Sequence, residues 1–327
     1  MSAEMSGFRL AAVQAAPVFM DPAASTDKAC ELIATAAAGG AHLAAFSETW
    51  LPGYPRFVNS PVPVARRREI SARYLGASVT VPGPEIEQIC EAARAGEIDV
   101  VIGVAELDST TAGTTYCTLV FIGSDGRVLG RHRKLKPTSN ERGVWGEGDG
   151  TGLVVHQRPY AAISGLNCWE HNMVLPGYAL MAQGTQVHVA AFPGYEARPP
   201  AISGTRQLLL ARAFASQGAA YVVLVGGVLR PGDVADPDIR EVISTLPPLT
   251  GDSYIIDPAG EVVAGPARGE EILYADADLE KVRAAKVMCD VGGHYSRPDV
   301  LRLVVDRTPA RRMMEENMKE NMMEEKS

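Results

Sequence analysis

Three times along this chain a helix-forming stretch runs into a glycine and then into a short, continuously apolar segment. Residues 23–38 are rich in alanine, Gly39 and Gly40 follow, and residues 42–46 are apolar; residues 180–183, Gly184 and residues 187–192 repeat the order, as do residues 207–217, Gly218 and residues 221–225. Glycine accepts the left-handed backbone that closes a helix, and apolar runs this brief read as buried strands. Units of this kind demand layered α/β packing in which helices cover the strands. In the helix before Gly218, residues Ile202, Leu209, Leu210, Ala213 and Phe214 fall near one face at 3.6-residue spacing and are expected to be its core face.

Residues 8–14 read as a further strand. Between the units lie strand pairs punctuated by Ser124-Asp125-Gly126 and by Pro258-Ala259-Gly260, both hairpin signals. Hairpins beside crossover units make the sheet mixed rather than purely parallel. No linker or break in composition divides the chain before Asp306, so one domain is expected over residues 1–306. Residues 307–327 change character to Met, Glu, Asn and Lys and are expected to form a disordered tail.

The charge balance narrows the function. With 31 Lys and Arg against 39 Asp and Glu, the net charge is −8 over 327 residues, which argues against nucleic acid or an anionic membrane as the main partner. The cluster Arg66-Arg67-Arg68 reads as a solvated helix face. Five cysteines, at 30, 90, 117, 168 and 289, are odd in number, widely spaced and without a C-x-x-C pair, so neither a disulfide framework nor a zinc site is indicated. The first ten residues do not read as a signal peptide, and the longest strongly apolar stretch, residues 219–229, is too short to span a bilayer. A reducing, cytoplasmic location is expected.

Several residues stand where chemistry would need them. Residues 161–165 read as an apolar strand ending at Gly165, with Cys168 just beyond and a helix starting near Asn172. A cysteine at such an elbow sits close to the positive end of a helix dipole, which favours thiolate. Cys30, Cys90, Cys117 and Cys289 occupy helix or strand interiors, or flank Asp290, and read as packing residues. Glu48 follows the strand at 42–46 and precedes Trp50, Pro52, Gly53, Tyr54 and Pro55. A carboxylate walled by aromatic rings has its charged form disfavoured and its pKa raised, which suits a general base. In the basic run from Arg131 to Lys136, strand alternation puts Lys134 and Lys136 on one face and Arg133 and Leu135 on the other.

Taken together, four blocks resemble the signature regions of the nitrilases within the carbon–nitrogen hydrolase superfamily, in order and over residues 8–306. They are residues 47–55; residues 132–138 with Glu141, Arg142 and Gly146 to Gly150; residues 166–171; and residues 292–299. The resemblance implies Cys168 as nucleophile, Glu48 as general base, Lys134 as the cation beside the reacting carbon, and Glu141 as a second glutamate that holds the site. It also implies a four-layer αββα sandwich of two mixed sheets, a homodimer or larger homo-oligomer extending into filaments, and a small organic nitrile as substrate. Trp169, Tyr54 and Phe192 are the candidates for substrate contact, with Trp50, Trp145 and Tyr195 as further aromatic walls.

The chemistry agrees with that assignment. A free thiol near pKa 8.5 is only a few per cent thiolate at pH 7 and needs a neighbouring base. Attack on a nitrile carbon gives a thioimidate; water adds, ammonia leaves, and a thioester is hydrolysed to the acid. Lys134 and the backbone N–H of Trp169 are placed to stabilise the tetrahedral stages, and a guanidinium could not replace Lys134 because it does not give up a proton. An amidase or N-carbamoyl hydrolase using the same residues is the alternative activity, which Trp169-Glu170 after the nucleophile disfavours; a catalytically silent scaffold is the alternative of a different class. His171, only three residues from Cys168 and at a helix start, reads as pointing away from it, and Glu170 reads as holding the elbow or an oligomer contact. The glycines at 146–152 match no phosphate or dinucleotide motif and carry too few oxygens for calcium. His42 and His188 read as satisfied core histidines, so no metal or cofactor is expected.

Overall fold

A computed structural model describes residues 7–194 and 202–310, with side chains of the final stretch described from Thr205 onward. In chain order the strands are β1 (Gly7–Gln14), β2 (Leu43–Ala45), β3 (Asp99–Leu107), β4 (Thr115–Ile122), β5 (Val128–Arg133), β6 (His156–Gln157), β7 (Ala162–Asn167), β8 (Val187–Phe192), β9 (Tyr221–Gly226), β10 (Val228–Leu229), β11 (Leu249–Thr250), β12 (Tyr254–Ile256), β13 (Val262–Ala264) and β14 (Glu271–Asp278). The helices are α1 (Pro22–Ala38), α2 (Val64–Gly76), α3 (Pro84–Ala95), α4 (Val174–Met181), α5 (Ile202–Gly218), α6 (Pro237–Ser244) and α7 (Leu279–Met288). The strands β14-β1-β2-β3-β4-β5 form one sheet and β13-β12-β9-β8-β7-β6 another, each mixing parallel and antiparallel pairs.

Period-2 alternation divides each strand between two environments. On β1, Phe8, Leu10 and Ala12 join Val189, Ala191, Val223 and other residues of the second sheet in a shared core, while Ala11 and Val13 pack beneath α1 and α3. On β8, Val187, Val189 and Ala191 face the first sheet, and Ala190 and Phe192 face α4 and α5. The result is the expected αββα sandwich. A fully buried aliphatic or aromatic side chain contributes about 1.5–3 kcal/mol, so this shared sheet–sheet face holds the two halves in one relative position.

Local signals decide the ends of the elements. Asp21 caps α1 by accepting from the Ala24 N–H at 3.0 Å, Pro22 opens the helix, and Gly40 takes φ +76° behind it. Both hairpins form, with Gly126 and Gly260 at positive φ. The arginine cluster lies on α2, where Arg66 pairs with Glu69 and Asp238 and Arg67 donates to the Ser60 and Val62 carbonyls.

Three expectations need correction. The buried face of α5 is Gln207, Ala211, Phe214, Ala215 and Gly218, whereas Leu209 is 64% exposed. Small residues at 211 and 215 let the helix lie close on its sheet, and Leu209 rotates outward; the Ile202 side chain lies outside the described residues. At the end of that helix it is Ala219, not Gly218, that takes the left-handed backbone, at φ +48°. The strand before Cys168 runs through Gly165 to Asn167; Gly165 makes room for the facing sheet, since a Cβ there would stand 3.1 Å from Leu119 and 3.2 Å from Phe121. The tail beyond residue 310 and Tyr195 lie outside the described residues. Among the described residues no helix is long and apolar enough to cross a membrane.

Candidate active site

Glu48, Lys134 and Cys168 each stand just past the carboxyl end of a strand, β2, β5 and β7 respectively. The path that delivers Glu48 follows from strand register. Ala45 pairs with Val101 and Leu51 bridges to Val104, so six residues on one side span three on the other, and the excess bulges outward. Gly103 lies under that bulge: a Cβ there would stand 2.3 Å from the Ser47 carbonyl and 2.4 Å from the Thr49 nitrogen.

Lys134 is fully buried and donates to Glu48 Oε1 at 2.7 Å and to Glu141 Oε2 at 2.8 Å. Burial alone would lower its pKa, but Glu48 and the other acidic groups around it outweigh that and hold the ammonium well above its usual pKa. The expected alternation ends at Arg133, where β5 ends; Lys136 turns to the surface and pairs with Glu147 instead of sharing a face with Lys134. The glycine-rich loop has a structural task here, since the Gly148 N–H donates to the Lys134 carbonyl at 2.9 Å.

Glu141 is anchored from three sides. Besides Lys134, it accepts from the Tyr54 hydroxyl at 2.8 Å and from the Thr138 N–H at 2.6 Å, the latter closing a capping box over the turn at Ser139–Gly143. Tyr54 packs edge-on against Trp145, whose ring lies 5.7 Å from the Lys134 nitrogen.

Glu48 differs from Glu141 in a way that suits a base. Its Oε1 accepts from Lys134 and from the Cys117 thiol at 3.3 Å, while its buried Oε2 has no partner among the described residues. Burial, with Glu141 adding to it and Lys134 opposing it, leaves this carboxyl raised to about 7. Such a group is poised to take a proton near neutrality.

Cys168 opens a 3-10 turn, Cys168–Asn172, with φ +48°, an uncommon backbone for a residue with a side chain. The expectation of a dipole-favoured thiolate is not met. Burial, reinforced by Glu48 and offset in part by Lys134, pushes the thiol well above its usual pKa, and α4 begins only at Val174. The sulfur therefore rests as a thiol and depends on a base. Those same Coulombic effects place Glu48, Lys134 and Glu141 within electrostatic reach of it.

Two buried devices hold the elbow. Glu170 accepts from the Asn167 N–H at 2.9 Å, the Leu135 N–H at 2.9 Å and His132 Nε2 at 3.0 Å, tying the backbone before Cys168 to the backbone after Lys134. These donors hold its carboxylate below the usual pKa despite burial. Being 1% exposed, it is no oligomer contact. His171 turns away from the sulfur: its Nδ1 donates to the Cys168 carbonyl at 2.7 Å. A neutral ring then accepts at Nε2, here from His188 Nε2 at 3.0 Å, and His188 Nδ1 accepts from the Ser164 hydroxyl at 2.9 Å. Burial lowers both imidazoles, His171 to about 4, so the chain stays neutral.

A cavity of about 170 Å³ opens on Cys168. Tyr54, Glu141, Trp169, Gln207 and Leu249 are among its walls. Trp169 is 40% exposed with the Arg206 guanidinium over its ring. Phe192 is absent from these walls; strand alternation turns it to the helix side of its sheet, where it stacks on His171. Trp50 is likewise a core ring, donating to the Ala15 carbonyl at 2.8 Å. The block at 292–299 lies against α4 and the cleft beside Tyr178, away from Cys168. Sequence reasoning missed Cys117, Gly103 and the reach of Glu170 to Leu135. Only strand register exposes the first two, since nothing local distinguishes a cysteine or glycine facing Glu48 from one facing the core.

A family model described as carbon-nitrogen hydrolase matches residues 9–287. The chain is 48% identical to Nitrilase 2 of an unknown prokaryotic organism, over 95% of this chain and 96% of the other. It is 40% identical to an aliphatic nitrilase of Rhodococcus rhodochrous, over 90% and 82%. Among solved structures it is similar to Saccharomyces cerevisiae Nit3, described as a member of branch 10 of the nitrilase superfamily, with a TM-score of 0.68 at 20% identity over 89% of this chain and 97% of that one.

Proposed function

The chain belongs to the carbon–nitrogen hydrolase family, and from that premise we propose that it is a nitrilase, converting an organic nitrile and two waters to a carboxylic acid and ammonia. The observation that carries this reading is the buried Glu48–Lys134 pair, whose charges are felt at the buried Cys168 thiol. The relatives at 48% and 40% identity, both named nitrilases, support a nitrile as the substrate class.

In this reading the free oxygen of Glu48 takes the Cys168 proton as sulfur bonds to the nitrile carbon. Glu48 passes that proton to the nitrile nitrogen, giving a thioimidate and restoring the carboxylate. Glu48 then takes a proton from water as that water adds and hands it to the nitrogen; the new hydroxyl gives up its proton as the C–N bond breaks, ammonia departs and a thioester remains. A second water, activated in the same way, releases the acid and returns the proton to sulfur. Lys134, kept charged by two carboxylates, faces the charge that develops on the tetrahedral carbon's substituent, and one such donor is typically worth about 3–4 kcal/mol of barrier. Glu141 acts as a positioning residue that holds the ammonium and Tyr54 in place.

We extend the reading to assembly and location. Val174 and Leu175 on α4 are 75% and 63% exposed, an apolar face suited to a second copy of this chain in a homodimer or longer oligomer. Five free cysteines suit a reducing, cytoplasmic compartment. A single domain over residues 1–306 accords with a family match that leaves out only the terminal stretches.

The test is ammonia release from a panel of nitriles and from the matching amides, with Cys168→Ala alongside. Nitrile turnover by the wild type and its loss by at least about a thousandfold in Cys168→Ala is the expected result, since residual catalysis after removal of a nucleophile rests on binding and oxyanion stabilisation alone. Turnover of amides only would make the protein an amidase.

A further inference from the structure

Gln207, on α5, lines the cavity on Cys168, yet none of the chemistry above uses it. Its side chain is a buried amide with one end satisfied: Nε2 donates to the Gly194 carbonyl at 3.3 Å. That contact orients the group, because the flipped amide would set two carbonyl oxygens against each other. The remaining end, Oε1, is buried and without a partner among the described residues, in a residue 7% exposed. An unpaired buried acceptor is costly, and a donor supplied by a ligand recovers that cost.

A nitrile group has no hydrogen to donate, and neither has an alkyl chain. From this we infer that Gln207 is a specificity-determining residue, and that the substrates taken best are aliphatic nitriles carrying a hydroxyl or amino donor for its Oε1. The inference rests on the nitrile-hydrolase reading and narrows it to a polar substrate class. Discrimination of this kind is strong because an analogue lacking the donor leaves the acceptor buried and unpaired.

The experiment compares isosteric pairs: the terminal-hydroxyl derivative of propanenitrile against butanenitrile, and that of butanenitrile against pentanenitrile. The kcat/KM ratio is read in wild type, Gln207→Leu, Gln207→Met and Gln207→Glu. Wild type is expected to favour the hydroxyl member of at least one pair by about tenfold, the worth of one buried hydrogen bond. Gln207→Leu and Gln207→Met should erase the preference, while Gln207→Glu, which keeps an acceptor but loses the donor to Gly194, should retain it. Equal rates within both pairs in wild type overturn the inference, as does a preference that survives in the two apolar variants. Loss of the preference in all three variants also overturns it, because the residue would then act by holding Gly194. The same pairs are run as amides, so that if only amides are hydrolysed the nitrilase reading fails while the ratio still decides the role of Gln207.

Discussion

Glu48 carries two opposed demands. Burial, reinforced by Glu141, leaves its pKa raised to about 7 even though Lys134 and the Cys117 thiol favour its charged form. The base must be unprotonated to accept the Cys168 proton, so kcat/KM for a nitrile is expected to rise with pH through about 7 and then level off. Removing the Cys117 thiol removes a bond to the carboxylate, so the midpoint in Cys117→Ala should move to higher pH; a pH–rate profile showing the same or a lower midpoint would contradict this role. Lys134 does not limit the alkaline side, because its carboxylate partners keep it protonated. At this scale the sequence was informative about residue types: a carboxylate followed by aromatic rings pointed to a raised pKa, and that is what burial produces. It marked Cys117 only as a packing residue, whereas the place of that thiol beside Glu48 depends on how β4 lies in its sheet.

The elements place these groups through backbone register. The bulge that carries Glu48 passes directly over Gly103, and any side chain there meets main-chain atoms that have no rotamer to yield. Gly103→Ala should therefore push the Ser47–Thr49 bulge by roughly an ångström and lower kcat/KM by about a hundredfold, as misplacements of that size do. Unchanged circular dichroism beside the lost rate is the expected pair of observations, and a fully active variant would show that the bulge does not set the base. Many strand and helix positions were readable because alternation, glycine stops and turn residues are local signals, whereas β3, β14, α6 and α7 were not read. The core face of α5 was not, since residues at 3.6-residue spacing describe several overlapping faces and only contact with β9 and β12 selects Ala211 and Ala215 over Leu209. Lys134 and Lys136 separate for a related reason: alternation holds only as long as the strand does.

Across the whole molecule, the two sheets form a rigid frame with the site at one end and an exposed apolar face on α4. If a second copy covers that face, Leu175→Asp should shift the sedimentation coefficient towards the monomer while nitrile hydrolysis by the remaining oligomer persists; an unchanged sedimentation profile would place the interface elsewhere. By itself the amino-acid order determined the layered α/β class, many of the strands and helices though not β3 or β14, and which residue types could serve as nucleophile, base and cation, because those depend on periodicity, turn chemistry and side-chain chemistry within short windows. Only the tertiary structure decided that Cys168 rests as a thiol, that Glu170 reaches the Leu135 N–H, that His171 bonds the Cys168 carbonyl, and that Phe192 lies outside the cavity. Each of those outcomes depends on burial or on contact between distant segments, and the packing of one sheet against the other creates both.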